Sequence, residues 1–162
     1  MGWTIEATAE APVPPEAVFA LYMAPDTWSR WGHNATWARA IGPVAEGSTI
    51  EVRAGYGKVY PCRVRRLEPD HALELVVKPP GMTIINVYQV SPSASGGSRI
   101  RHAFEISGPM GVVSRFIGLG RVYRRKLEAE VAAVGRMAAD ATNGGGSPGV
   151  SVAGAGVDGA DR

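Results

Sequence analysis

Three side chains in this 162-residue chain, Asn86, Tyr88 and His102, have the types and spacing to orient or protonate a small molecule. They lie in two alternating stretches, "MTIINVYQV" and "SRIRHAFEIS", on either side of the turn-rich "SPSASGG". If the turn centres near Ser95, positions summing to about 190 oppose one another in a hairpin. Tyr88 then faces His102, Asn86 faces Phe104, and Ile84 faces Ile106. One face of the last strand carries Ile100, His102, Phe104 and Ile106. The other carries Arg99, Arg101, Ala103 and Glu105, which belong in water. The same alternation turns Tyr60, Cys62 and Val64 inward and Arg63 and Arg65 outward. An inner face that mixes an amide, two phenols and an imidazole with apolar groups is unusual for a solid core, because each polar group needs a partner once buried. Ligand cavities have this mixture. An imidazole beside a phenol can also move a proton, and a His102–Tyr88 hydrogen bond would equally satisfy both groups with no ligand at all.

Other chemistry has less support. Cys62 reads as a small buried hydrophobe, since nothing nearby lowers its pKa. His33, His71, His102 and Cys62 share no metal-ligand spacing, so no metal is expected. "GLGRVY" lacks the third glycine of a dinucleotide fingerprint and no phosphate-cradling GK[ST] occurs, so no cofactor is expected. Glu51, Glu74 and Glu105 fall on outward or undecided positions, which leaves the inner face of the strands without a carboxylate and counts against acid–base catalysis.

Three of the four tryptophans, Trp28, Trp31 and Trp37, fall within ten positions around "WSRWGHN". They plug a core beneath a loop or wall a cavity. We expect Trp31 to plug, with Trp37 or His33 nearer an entrance.

The elements that must position these residues follow from periodicity. Residues 3–11 alternate as a half-buried strand. "VPPEAVFALYM" suits a helix with proline in its first turn and Val18, Phe19, Leu21 and Tyr22 inward. "APDTWSRW" suits a second short helix capped by Asp26. The chain after Gly32 reads as irregular, and strands follow one another from Ile41 to Ser107. Val113, Phe116, Gly120, Tyr123, Leu127, Val131, Val134 and Ala138 then recur every three or four residues. They predict one amphipathic helix near 112–139, about 40 Å long at ~1.5 Å per residue, with Phe116 and Tyr123 facing the sheet. Consecutive strands pair mainly antiparallel, so the fold class is α+β, a curled sheet gripping a long helix.

The domain spans 1–140. The last 22 residues, with seven glycines and no aromatic, predict a disordered tail over 141–162. A formal charge of +2 is too small to argue for a nucleic-acid partner, and none is expected; Arg121, Arg124, Arg125 and Lys126 read as a solvated helix face. One cysteine excludes an internal disulfide. The N-terminus has no signal-peptide pattern, and no run reaches the ~18 apolar residues of a membrane span. A cytoplasmic protein without stable membrane anchoring, monomer or homodimer, is the expectation.

Segments along the domain resemble the START/pollen-allergen-like superfamily, called SRPBCC, and within it the polyketide cyclase/dehydrase and lipid transport group. They are "IEATAEAPVPPEAVFALYMAPDTWSRW", "GSTIEVRAG" with "CRVRRLEPDHALEL", and "YQVSPSASGGSRIRHAFEISGP", together covering about 3–139. The resemblance implies a helix-grip fold: a seven-stranded curved antiparallel sheet around a long C-terminal helix, with two short helices between strands 1 and 2. It implies an apolar tunnel for a hydrophobic small molecule such as a lipid or polyketide, and it carries over no catalytic set. The expected cavity residues are Trp31, Tyr60, Cys62, Asn86, Tyr88, His102, Phe104, Phe116 and Tyr123. The leading expectation is a non-catalytic carrier. The alternatives are a cyclase or dehydrase using His102, and a chaperone-activator-like module with a filled interior and a convex patch at Val76, Ile85 and Val87.

Overall fold

The computed structural model describes residues 2–32 and 34–144. Strand β1 (Trp3–Ala11) leads to helix α1 (Pro15–Tyr22), a 3-10 turn (Pro25–Thr27) and helix α2 (Trp28–Trp31). Six strands follow: β2 (Ala35–Ile41), β3 (Thr49–Ala54), β4 (Val59–Glu68), β5 (Ala72–Val77), β6 (Thr83–Pro92) and β7 (Ser98–Ser107). Helices α3 (Pro109–Phe116) and α4 (Leu119–Gly144) complete the chain. All pairings are antiparallel, in the order β1-β7-β6-β5-β4-β3-β2.

The last hairpin has the expected register, Tyr88 opposite His102, Asn86 opposite Phe104 and Ile84 opposite Ile106. Its inner positions Ile100, His102, Phe104 and Ile106 are all buried. β1 joins the far side of β7, Trp3 opposite Ile106 and Ala11 opposite Ser98. Gly97 permits this closure, because a Cβ there would lie 2.1 Å from the Ala11 carbonyl oxygen. α4 lies chiefly across β1 and seals the core with Leu127, Val131, Val134 and Ala138.

Four expectations change. The long helix is two helices, broken at Gly118, whose φ of +79° suits glycine. The break removes Phe116 from the inward stripe and leaves it 83% exposed. The chain after Gly32 is not irregular but enters β2 at Ala35, with a register shift between Ala35 and Trp37. Asp26 lies within the 3-10 turn, and α2 begins after Thr27 without a side-chain cap. Residues 141–144 of the expected tail are the last turn of α4, and the remainder of that tail lies outside the described residues.

Candidate ligand cavity

A cavity of about 440 Å³ lies between the concave face of the sheet and the first half of α4. It falls within the size of small-molecule sites, roughly 300–1,000 Å³. Its floor comes from alternate residues of adjacent strands: Val52 on β3, Tyr60 and Cys62 on β4, Leu75 and Val77 on β5, Ile84, Asn86 and Tyr88 on β6, Phe104 and Ile106 on β7. Period-two alternation gives every strand an inner row, so the pairing register assembles one wall from five strands. α4 adds Tyr123, Lys126 and Glu130 at intervals of three and four, the spacing of one helix face. Trp28 and Trp31 of α2 close one end.

Both tryptophans serve core and wall together. They are almost fully buried, with their rings 6.0 Å apart and each about 6 Å from Tyr88. The Trp28 indole N–H donates to the Leu21 carbonyl at 3.2 Å, which fixes the end wall to α1. Trp37 is absent from the cavity wall. It lies on β2 beneath the Arg39 guanidinium, 5.8 Å from the ring centre. His33 lies outside the described residues.

The rim is polar. Lys126 Nζ donates to Asn34 Oδ1 at 2.7 Å, a strap from α4 to the turn before β2. The Tyr56 hydroxyl at the β3–β4 tip donates to the Tyr60 hydroxyl at 2.6 Å. Partial desolvation at the rim and then the bond to Tyr60 raise the Tyr56 phenol above its ordinary value. Deeper in, burial pushes the Cys62 thiol up to about 12, so it faces the cavity as a neutral group.

His102 is completely buried and does not reach the cavity, contrary to its expected place in the lining. The edge-on Tyr88 ring, 4.9 Å away at 87°, and the Trp31 ring at 5.8 Å stand around it. Nor is Tyr88 its hydrogen-bond partner: His102 Nε2 meets the Tyr22 hydroxyl at 2.9 Å. On the other side, His102 Nδ1 is 3.5 Å from Glu130 Oε2, a charge-pair distance too long for a tight hydrogen bond. Burial first, then the Glu130 charge, raises the Tyr22 phenol far above its ordinary range. A phenol kept protonated can donate to Nε2. The same two causes raise Tyr88, with smaller contributions from Cys62 and Tyr22.

Glu130 is the inward carboxylate that strand alternation did not supply. It is 4% exposed and, alone of the buried row Tyr22–His102–Glu130, lines the cavity. Its signal was available. It follows Leu127 by three and precedes Val134 by four, on the apolar stripe of α4. Of the other expected residues, Trp31, Tyr60, Cys62, Asn86, Tyr88, Phe104 and Tyr123 surround the cavity and Phe116 does not. Among the described residues, no group of three His, Cys, Asp or Glu could hold a metal ion. No described helix is long and apolar enough to cross a membrane.

Comparison with solved structures shows the fold in several proteins. A Staphylococcus aureus protein of unknown function, SA2116, superposes with a TM-score of 0.69 at 12% identity, over 88% of this chain and 97% of that one. A norcoclaurine synthase point mutant from Thalictrum flavum, in complex with a transition-state analogue, gives 0.65 at 14% identity, over 88% and 97%. DynU16, from the dynemicin biosynthetic locus, gives 0.63 at 15% identity, over 87% of this chain and 48% of that one. Comparison with curated protein sequences yields no match. The sequence profile of one family matches residues 2–141, nearly the whole described domain. With that match and the helix-grip architecture, the chain belongs to the polyketide cyclase/dehydrase and lipid transport family of the SRPBCC superfamily.

Proposed function

We propose that this protein binds a hydrophobic small molecule, lipid or polyketide in class, between its sheet and α4. The observation that carries this reading is the cavity itself: about 440 Å³, walled by aromatic and aliphatic side chains, with Asn86, Tyr88 and Glu130 as its inner polar handles. A ligand burying about 300 Å² of apolar surface there gains roughly 7 kcal/mol at ~25 cal/mol per Å², before association costs. Family membership supports the same class of ligand. The test is native mass spectrometry of the protein purified from its own host, followed by displacement of a hydrophobic fluorophore. A co-purifying apolar molecule that competes with the fluorophore supports the reading. An empty protein that takes up no fluorophore refutes it.

A second reading has one specific observation in its favour. Glu130 presents a carboxylate to the cavity, and the His102 imidazole behind it is bonded in turn to a protonated phenol. That row suits proton abstraction from an enolisable ligand, with Glu130 as the base and His102 as the group that positions it. His102 does not reach the cavity, which counts against it as the contacting base. Glu130→Gln separates the readings: a carrier keeps its ligand, whereas an enzyme keeps the ligand and loses turnover. The interaction-module reading required a filled interior, so the cavity counts against it. Its convex patch is also reduced, because Val87 is 4% exposed.

A further inference from the structure

Helix α3 is turned inside out. Its buried residues are Gly111 and Ser114, whereas Met110, Val112, Val113 and Phe116 face solvent. Ile117 and Val122 extend this patch. Six of the nine large apolar side chains exposed among the described residues therefore fall between positions 110 and 122. The orientation is fixed from below. The Trp3 indole N–H donates to the Gly111 carbonyl at 2.9 Å, and a Cβ on Gly111 would come within 3.0 Å of the Ile106 side chain. The helix cannot roll to hide its large residues. A cluster of this kind marks an interaction surface.

Its charge indicates the partner. Residues 108–127 contain Arg115, Arg121, Arg124, Arg125 and Lys126 and no Asp or Glu. The whole chain carries +2, so this segment's +5 leaves −3 on everything else. The four arginines are exposed. Apolar side chains beside an excess of cations, with Glu128 the first acidic residue to follow them, are the make-up of a helix that lies in the headgroup plane of an anionic bilayer. A second copy placed face to face would set +5 against +5.

We propose that α3 and the first turns of α4 dock reversibly on an anionic lipid surface, Phe116 and Ile117 entering the headgroup layer and the arginines meeting lipid phosphates. Tyr123 and Lys126, in the turns that follow, line the cavity, so docking sets lipid beside the cavity wall. The docking rests on α3 and on the cations from Arg115 to Lys126, and does not depend on what the cavity holds.

The test sediments the full chain with vesicles of phosphatidylcholine alone and with vesicles that also contain phosphatidylglycerol. The expected result is binding to the anionic vesicles only, released by added salt. Phe116→Glu together with Ile117→Glu abolishes it, and Arg121→Gln with Arg124→Gln weakens it roughly thirtyfold. Both variants keep the thermal transition and fluorophore uptake of the parent, since all four side chains are exposed. Equal sedimentation with both vesicles, with neither, or with the double-glutamate variant would overturn the proposal. A concentration-dependent dimer lost in that variant, without vesicle binding, would give the face to a second copy and overturn it as well.

Discussion

His102 Nε2 and the Tyr22 hydroxyl lie 2.9 Å apart, joining β7 to α1 across 80 positions of sequence. Both residues are wholly buried. Removing the hydroxyl leaves a ring nitrogen without its acceptor bond in a site that water does not reach. Tyr22→Phe should therefore cost about 1–3 kcal/mol of stability in urea unfolding. A loss below about 0.5 kcal/mol would mean that the bond does not hold α1 on the sheet.

Asn86 projects from the middle of β6 into the cavity. Asn86→Trp places a large ring there without disturbing the outer face of the strand. Uptake of a hydrophobic fluorophore should fall at least about tenfold, a change of ~1.4 kcal/mol, while the thermal midpoint stays close to that of the parent. Unchanged uptake would move the fluorophore site elsewhere, most directly to the exposed patch on α3.

Alkaline pH should destabilise the fold through groups that the interior keeps neutral. Cys62 ionises near 9.0 when free and near 12 in the fold, while Tyr22 and Tyr88 are held above their free value of 10.0. The folded state thus keeps protons that the unfolded chain releases. Its stability is fully present below about pH 9 and declines as pH rises toward about 12. Urea midpoints measured through that window should fall steadily, and Cys62→Ala should make the decline shallower. Iodoacetamide should leave Cys62 almost unmodified at neutral pH, because the thiolate is the reacting form.

Gly97 tests the closure of the sheet. Its missing side chain makes room for the Ala11 carbonyl, and the obstructing atoms are backbone, which cannot swing aside. Gly97→Ala should cost roughly 1–3 kcal/mol or more, measured by denaturant unfolding. Gly55→Ala, where a Cβ meets nothing within 4 Å, is the matched control and should change little.

The parts of the fold that local pattern governs were legible before any coordinates. A short turn flanked by alternating strands fixed the pairing of Tyr88 with His102, and with it the inner row of β7. The three-four spacing of α4 likewise placed Tyr123 and Leu127 on the sheet side. What local pattern does not encode was missed. Tyr22 was placed inward, but its partner lies on a distant strand, and nothing in either neighbourhood announces the other. Gly118 stands among residues whose apolar spacing continues on both sides, so the stripe looked unbroken and carried Phe116 inward with it. Glu130 occupies a core position with a side chain that ordinarily belongs in water. Its type argued against its spacing, and the spacing was the better guide.

The ladder between β1 and β7 joins the first strand to the last, Trp3 against Ile106, and α4 rests mainly on that first strand. That contact needs both strands, so it cannot form before β7 is present. The roof of the chamber thus has no seat until the final strand has arrived and captured the first. Occupancy by a guest is for this reason a property of the finished molecule, and a chain halted before β7 has nowhere to hold one.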